Sequence, residues 1–192
     1  MIVGMNHFTV IAEDRQKTLD FYVGLLVSSW ARRLGATVLG TVSSEAKARV
    51  AREHGCEFPI VAPEHRFADA VQARCGGADV VIDGIGDAAG EENFAALARR
   101  GHWISLGQAS GALRPIAADE LVQKSITFSR PVVFDYVATP ADLAERAGRV
   151  WSALADGTLK VPPIERHALG AAAEAHARLE SRRTVGALVL VA

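Results

Sequence analysis

The sequence predicts an α/β chain built on a doubly wound parallel sheet, and three observations carry that class. First, Ser28 to Lys47 (SSWARRLGATVLGTVSSEAK) encodes the inner unit of such a sheet. A helix with Trp30, Ala31 and Leu34 on one side stops at Gly35, a residue suited to a left-handed helix end. Strand formers run from Ala36 to Val42, and Ser43 or Ser44 then caps a second helix. Second, the unit repeats: strands over 36–42, 58–62, 78–83 and 101–106 alternate with helices over 44–54, 64–75 and 90–99. Third, the strands are near-continuous apolar runs, the pattern of strands covered on both faces. Strands joined one after another through helices run parallel, with right-handed crossovers.

Upstream of this array, Met5 to Ala12 (MNHFTVIA) reads as a strand. Glu13-Asp14 then opens a helix, RQKTLDFYVGLL, with Leu19, Tyr22, Val23 and Leu26 on one side. Residues 14–34 can run as one continuous helix. Downstream, a strand over 126–129 forms the sheet's edge and a helix over 140–156 follows it. The final strand, 186–191, is strongly apolar and needs a partner, either the N-terminal strand over 8–12 or a second chain. The chain thus divides into a βα segment over 1–26 that serves as first strand and helix, a sheet domain over 27–156, and a strand/helix/strand segment over 157–192.

The 192 residues suffice for one full-sized core. A net charge of −1 speaks against nucleic-acid or anionic-membrane binding, and no apolar run is long enough to span a bilayer. The N-terminus lacks a basic region followed by a long apolar core, so no signal peptide is read and the cytoplasm is the expected location. Cys56 and Cys75 form neither a disulfide framework nor a zinc motif. His54, His65, His102, His167 and His176 are dispersed and read as surface or capping residues. Ser28-Ser29 has no histidine near it in sequence and GxSxG is absent, so no nucleophile–base pair is read and the catalytic residues stay unassigned.

Two family resemblances follow from quoted stretches. NHFTV, an acidic turn and LDFYVGLL resemble the first βα unit of the vicinal oxygen chelate (glyoxalase/bleomycin-resistance) family, over about the first 26 residues. That resemblance implies a metal-ligand role for a histidine at His7, but no further ligands continue the pattern, and no metal site is expected. From Gly24 onward a second resemblance covers nearly all the rest. VGLLVSSWARRLGATVLGTVSSEAKARVAREHG, ADVVIDGIG, RRGHWISLGQASG, SITFSRPVVFDYVATPADL, WSALADGTLKV and AAAEAHARLESRRTVGALVLV resemble the zinc-independent quinone oxidoreductases, the zeta-crystallin-like branch of the medium-chain dehydrogenase/reductases. This resemblance implies a Rossmann-like domain, NADPH, hydride transfer to a quinone, and a homodimer through the edge strand near 125–133. It also implies a GroES-like catalytic domain to which nothing here corresponds, and on which the segment 157–192 would pack. The two patterns overlap in YVGLL, as in a fused or rearranged gene that has lost its catalytic domain.

The candidate cofactor residues divide by how they are read. NAD-preferring folds place a carboxylate at the end of the second strand. Here that end is Gly40-Thr41-Val42-Ser43-Ser44, with Lys47 one turn on. Hydroxyls and an ammonium suit a 2′-phosphate; the alternative is a helix cap and a solvated lysine. The resemblance aligns Phe21-Tyr22-Val23-Gly24 with a glycine-rich phosphate turn, of which only Gly24 survives. Bulky side chains there weaken or abolish the backbone's approach to pyrophosphate. By resemblance, Gly84 (with Gly86) lets the cofactor pass close to the backbone. Gly107, Gln108 and Ser110 form the loop beside the nicotinamide, and Arg182 reaches the cofactor. Ala62 and Ala187 stand where the family often has a tyrosine and a lysine. Three functions stay open: an NADPH-dependent reductase, a non-catalytic dimerisation module, and a metal-dependent protein built around His7.

Overall fold

A computed structural model describes residues 5–6, 15–161, 164–180 and 187–192. In chain order the elements are β1 (Met5–Asn6), α1 (Arg15–Arg33), β2 (Val38–Val42), α2 (Glu45–Glu53), β3 (Phe58–Val61), α3 (Ala68–Cys75) and β4 (Ala78–Asp83). After a 3-10 turn at Asp87–Ala89 come α4 (Gly90–Ala96), β5 (Leu97–Ser105), α5 (Ala118–Val122), β6 (Thr127–Ser129), α6 (Val133–Tyr136) and α7 (Pro140–Ala155). β7 (Ile164–Ala168), α8 (Ala172–Glu180) and β8 (Ala187–Val191) close the chain.

β1 to β6 form one sheet in the order β3-β2-β1-β4-β5-β6, and every neighbouring pair is parallel. All five residues of β2 are buried, as its apolar run requires of a strand covered on both faces. Strand alternation sends Val38 and Val42 to one face, where they pack with Leu25, Ala31, Ala48 and Ala51 of α1 and α2. Leu39 points to the other face, into a core that includes Val71 of α3, Ala96 of α4, and Val81, Leu97 and Trp103 of β4 and β5. This is the doubly wound α/β architecture the pattern predicts.

Local punctuation behaves as read. Gly35 takes φ +83 just past α1, and the Ala36 N–H closes back on the Ala31 carbonyl at 3.0 Å. Ser44, not Ser43, caps α2, its side chain accepting from the Lys47 N–H. Thr139 and Pro140 open α7 in the same manner. Leu34 departs from its expected place: it is 65% exposed, because the stop at Gly35 turns the chain away before a further turn can cover it.

The helix expected over 90–99 ends at Ala96, and Leu97 already takes extended backbone and pairs with Ala78. Lys124 lies 27 residues away and enforces that stop: its ammonium donates to the carbonyls of Phe94, Ala95 and Leu97 at 3.0, 3.1 and 2.7 Å. A cation at the negative end of a helix satisfies carbonyls that have no partner within it. Lys124→Met keeps the stem's bulk and strips three acceptors, so it should cost about 1–3 kcal/mol in a urea unfolding measurement. Glu92 does the converse for α3, accepting from the Phe67 and Ala68 N–H groups at 2.7 and 2.8 Å.

The final strand finds its partner inside the chain. β8 pairs in parallel with β7 in a separate two-stranded sheet, Ile164 opposite Ala187 through Ala168 opposite Val191. The strand over 8–12, the other candidate partner within the chain, lies outside the described residues. α8 is the crossover a parallel pair requires. The N-terminal strand expected over 5–12 contributes Met5–Asn6, while 7–14, and His7 with them, lie outside the described residues.

Candidate cofactor site

In a parallel sheet all strand ends of one kind lie on one edge. The order β3-β2-β1-β4-β5-β6 reverses direction between β1 and β4, and ligands of such sheets bind at the carboxyl ends beside that reversal. Ser43, Ser44 and Lys47 follow β2, Gly84 follows β4, and Gly107, Gln108 and Ser110 follow β5. The topology therefore brings these predicted residues to one edge, with β1 between the first group and the rest.

At the end of β2 the Lys47 Nζ donates to Ser43 Oγ at 3.2 Å, and Lys47 is only 9% exposed. The lysine is thus folded over the first turn of α2 rather than extended into solvent. Ser44 is spent on the helix cap, so an anion here meets the Ser43 hydroxyl, the ammonium and the positive end of α2. No carboxylate occurs from Gly40 to Ser44.

The glycines after β4 and β5 serve each other. A Cβ at Gly107 would stand 2.6 Å from the Gly84 carbonyl oxygen, and one at Gly86 would stand 2.4 Å from that of Gly111. Gly86 also takes φ +89. The bareness read as room for a cofactor is, at Gly86, filled by the neighbouring loop, and Gly107 of that loop is packed against Gly84 in turn. Ser110 joins the same clasp: its hydroxyl donates to the Ile85 carbonyl at 2.8 Å and accepts from the Ala88 N–H at 3.0 Å. Gln108 stays exposed, and its amide oxygen, oriented by the network, accepts from Arg130 at 2.8 and 3.1 Å.

Gly24 is not in a turn. It lies buried within the unbroken α1, about 13 Å past the helix's first described residue by helical rise. Its backbone groups belong to the helix ladder, so Gly24 cannot cradle phosphate. The residues on both sides of Gly24 are helical, in keeping with the reading of 14–34 as one continuous helix. The connection from β1 into α1, where this topology presents helix N–H groups to phosphate, falls in 7–14. Arg182 also lies outside the described residues.

Sequence reading missed Asp83, the last residue of β4, which is 1% exposed. Its Oδ1 accepts from the N–H groups of Ile85 at 2.8 Å and Gly86 at 3.4 Å. The Trp103 indole and the Asn93 amide face the carboxyl group closely enough to favour its ionised form. Neither completes a hydrogen bond of ordinary geometry to Oδ2, and Ser105 Oγ is likewise unpaired. Burial dominates and pushes the Asp83 pKa up to about 6. The available signal was a carboxylate at the end of an otherwise apolar strand, VVID followed by Gly84.

The sign of the resulting pH effect follows directly. From about pH 4 to 6 the folded chain holds a proton here that the unfolded chain has released. Stability from this group is therefore present at low pH and lost as pH rises through 6. Asp83→Asn removes the effect. Urea unfolding should show the variant gaining on the parent by on the order of 3 kcal/mol between pH 4 and pH 7.

Tertiary structure brings Ser29 to His54, but through the backbone: Ser29 Oγ bonds the His54 carbonyl at 2.8 Å. The pair ties α1 to the end of α2 and is no nucleophile–base arrangement. His54 caps α2 as read, yet it is buried rather than on the surface. Among the described residues no group of three His, Cys, Asp or Glu side chains could hold a metal ion, and no helix is long and apolar enough to cross a membrane.

Comparison with known proteins agrees with this geometry. Residues 23–148 match the family described as zinc-binding dehydrogenase. The chain is 36% identical to a quinone oxidoreductase of Pseudomonas aeruginosa, over 88% of this chain and 53% of that protein. It is 35% identical to a 2-haloacrylate reductase of a Burkholderia species, over 88% and 52%. The crystal structure of Escherichia coli quinone oxidoreductase complexed with NADPH superimposes with a TM-score of 0.81 at 31% identity, covering 98% of this chain and 57% of that one. The chain thus spans about half the length of the curated relatives it matches. The chelate-family resemblance of residues 1–26 is not shown by these comparisons. The chain belongs to the family described as zinc-binding dehydrogenase, among the medium-chain dehydrogenase/reductases, and most of its length is similar to quinone oxidoreductases.

Proposed function

We propose that this chain is the nucleotide-binding part of an NADPH-dependent quinone oxidoreductase-like reductase that passes hydride to a quinone or enone. The observation that carries the reading is the end of β2, where Lys47 and Ser43 form a partly buried hydroxyl–ammonium pair and no carboxylate from Gly40 to Ser44 opposes a 2′-phosphate. Ser43 and Lys47 would hold that phosphate, and the loop of Gly107, Gln108 and Ser110 would flank the nicotinamide. Bound NADPH supplies the hydride, and the chain's own residues bind and orient it. The likeness to an oxidoreductase solved with NADPH supports the cofactor, and the matched quinone and haloacrylate reductases support the substrate class. The reading includes a cytoplasmic homodimer formed through the edge strand β6, which among the described residues has a sheet neighbour on one side only.

A second reading, a dimerisation module without turnover, is favoured by Val133, Phe134, Tyr136 and Trp151, apolar side chains left exposed on α6 and α7. Calorimetric titration with NADPH and NADH, with oligomeric state followed in the same buffer, separates the two. Micromolar NADPH binding and NADH binding at least tenfold weaker are the expected result. Binding of neither, with the dimer intact, would leave the second reading.

A further inference from the structure

We propose that Asp83 is a positioning residue for this cofactor site: its carboxylate clasps the turn after β4 and, through it, the loop after β5 that would flank the nicotinamide. The inference rests on the reductase reading and adds to it a residue with no surface of its own. Asp83 anchors both loops at once. Its side chain accepts from the Ile85 and Gly86 N–H groups, while its own carbonyl accepts from the Leu106 and Gly107 N–H groups at 2.7 and 3.3 Å. The loops are then stitched onward: the Ser110 N–H donates to the Ile85 carbonyl at 2.7 Å, and the Ala109 N–H to the Gly84 carbonyl at 3.2 Å. Gly107 packs against Gly84 too closely to admit a side chain. Moving the Ile85–Gly86 turn therefore moves the 106–111 loop.

The surroundings are built for a carboxylate without a counter-ion. Val81 and Asp83 of β4 lie opposite Trp103 and Ser105 of β5, so all four side chains share one sheet face, beneath Asn93 of α4. Asn93, Trp103 and Ser105 are each 1% exposed or less, and each keeps a polar atom without a bond of ordinary geometry. Charged groups on the neighbouring elements are engaged elsewhere: Glu91 pairs with Arg114, Glu92 caps α3, and Arg130 meets Gln108. Asp87, in the adjoining 3-10 turn, is exposed to solvent. An asparagine could make the same two backbone bonds without burying a charge, which costs stability wherever no cation offsets it. What the charge adds is strength, since hydrogen bonds to an ionised acceptor are about twice as strong as neutral ones. A loop already held in shape spares the ordering cost when ligand arrives.

The test compares the full chain with Asp83→Asn, using amide hydrogen exchange without ligand and NADPH titration. At pH 7.5, protection of the Ile85, Gly86, Leu106 and Ser110 amides, corrected for intrinsic rates, should be about tenfold higher in the unaltered chain than in Asp83→Asn. The core amides of Val38 and Val81 should keep their protection in Asp83→Asn. NADPH should bind Asp83→Asn about tenfold more weakly at pH 7.5. Equal protection in the two proteins, or loosened loops with unchanged NADPH affinity, would overturn the positioning role. Absence of NADPH binding by the unaltered chain would overturn the reductase reading itself, whatever the exchange shows.

Discussion

Trp103→Ala should destabilise the chain by about 3–5 kcal/mol, the range for deleting a fully buried large aromatic. Trp103 is 1% exposed, in the middle of the core between the sheet and α3 and α4. Its ring meets Phe94 and Phe128 edge-on, with centroids 5.0 and 5.2 Å apart and ring planes 85° to each other in both cases. Such pairs contribute about 0.5–1.5 kcal/mol each beyond the area they bury. One partner sits on α4 and the other on the edge strand β6, so the cavity would loosen both from the sheet. For a chain of this size the loss corresponds to a fall in Tm of roughly 10 °C. Trp103→Phe should cost clearly less, because most of the volume stays. Denaturant unfolding of the three proteins checks the order; an alanine variant within 1 kcal/mol of the parent would contradict the packing described.

Lys47→Ala should weaken NADPH binding by tenfold to a hundredfold, about 1.5–3 kcal/mol, and leave NADH binding almost unchanged. The selectivity is the point. A lysine that merely packs on α2 would, when removed, affect both cofactors alike or neither. An ammonium bonded to Ser43 Oγ at the end of β2 can tell them apart only through the 2′-phosphate that NADH lacks. Lys47→Arg should restore part of the affinity, since it keeps the charge but not the compact reach to the serine. Paired calorimetric titrations give the ratio directly. Equal losses for the two cofactors would assign Lys47 a packing role and remove the main support for NADPH preference.

Much of the site was legible because it lies near punctuation in the sequence. A serine pair after an apolar run marks a strand end and a helix start together, which puts Ser43, Ser44 and Lys47 on the ligand-binding edge before any contact is known. Gly24 carried two incompatible readings, a phosphate turn by resemblance and the interior of one continuous helix over 14–34, and α1 runs straight through it. Gly86 was singled out with Gly84 as a place where the cofactor passes close to the backbone, but what lies against Gly86 is another loop of the same chain. Asp83 escaped notice because a lone aspartate at a strand end has no spacing pattern. Only its burial and its four backbone bonds make it informative.

By itself the sequence determined the class of fold, the strands from β2 to β6 and the helix punctuation at Gly35 and Ser43-Ser44. These depend on hydrophobic period and on backbone preferences that act within a few residues. Tertiary structure alone decided where α4 ends, through Lys124; which strand receives β8, through β7; and what the loop glycines touch. It also decided that a carboxylate would be buried without a cation beneath the candidate site. Each of these joins groups 20 or more residues apart, and an interaction at that separation leaves no periodic trace in the chain.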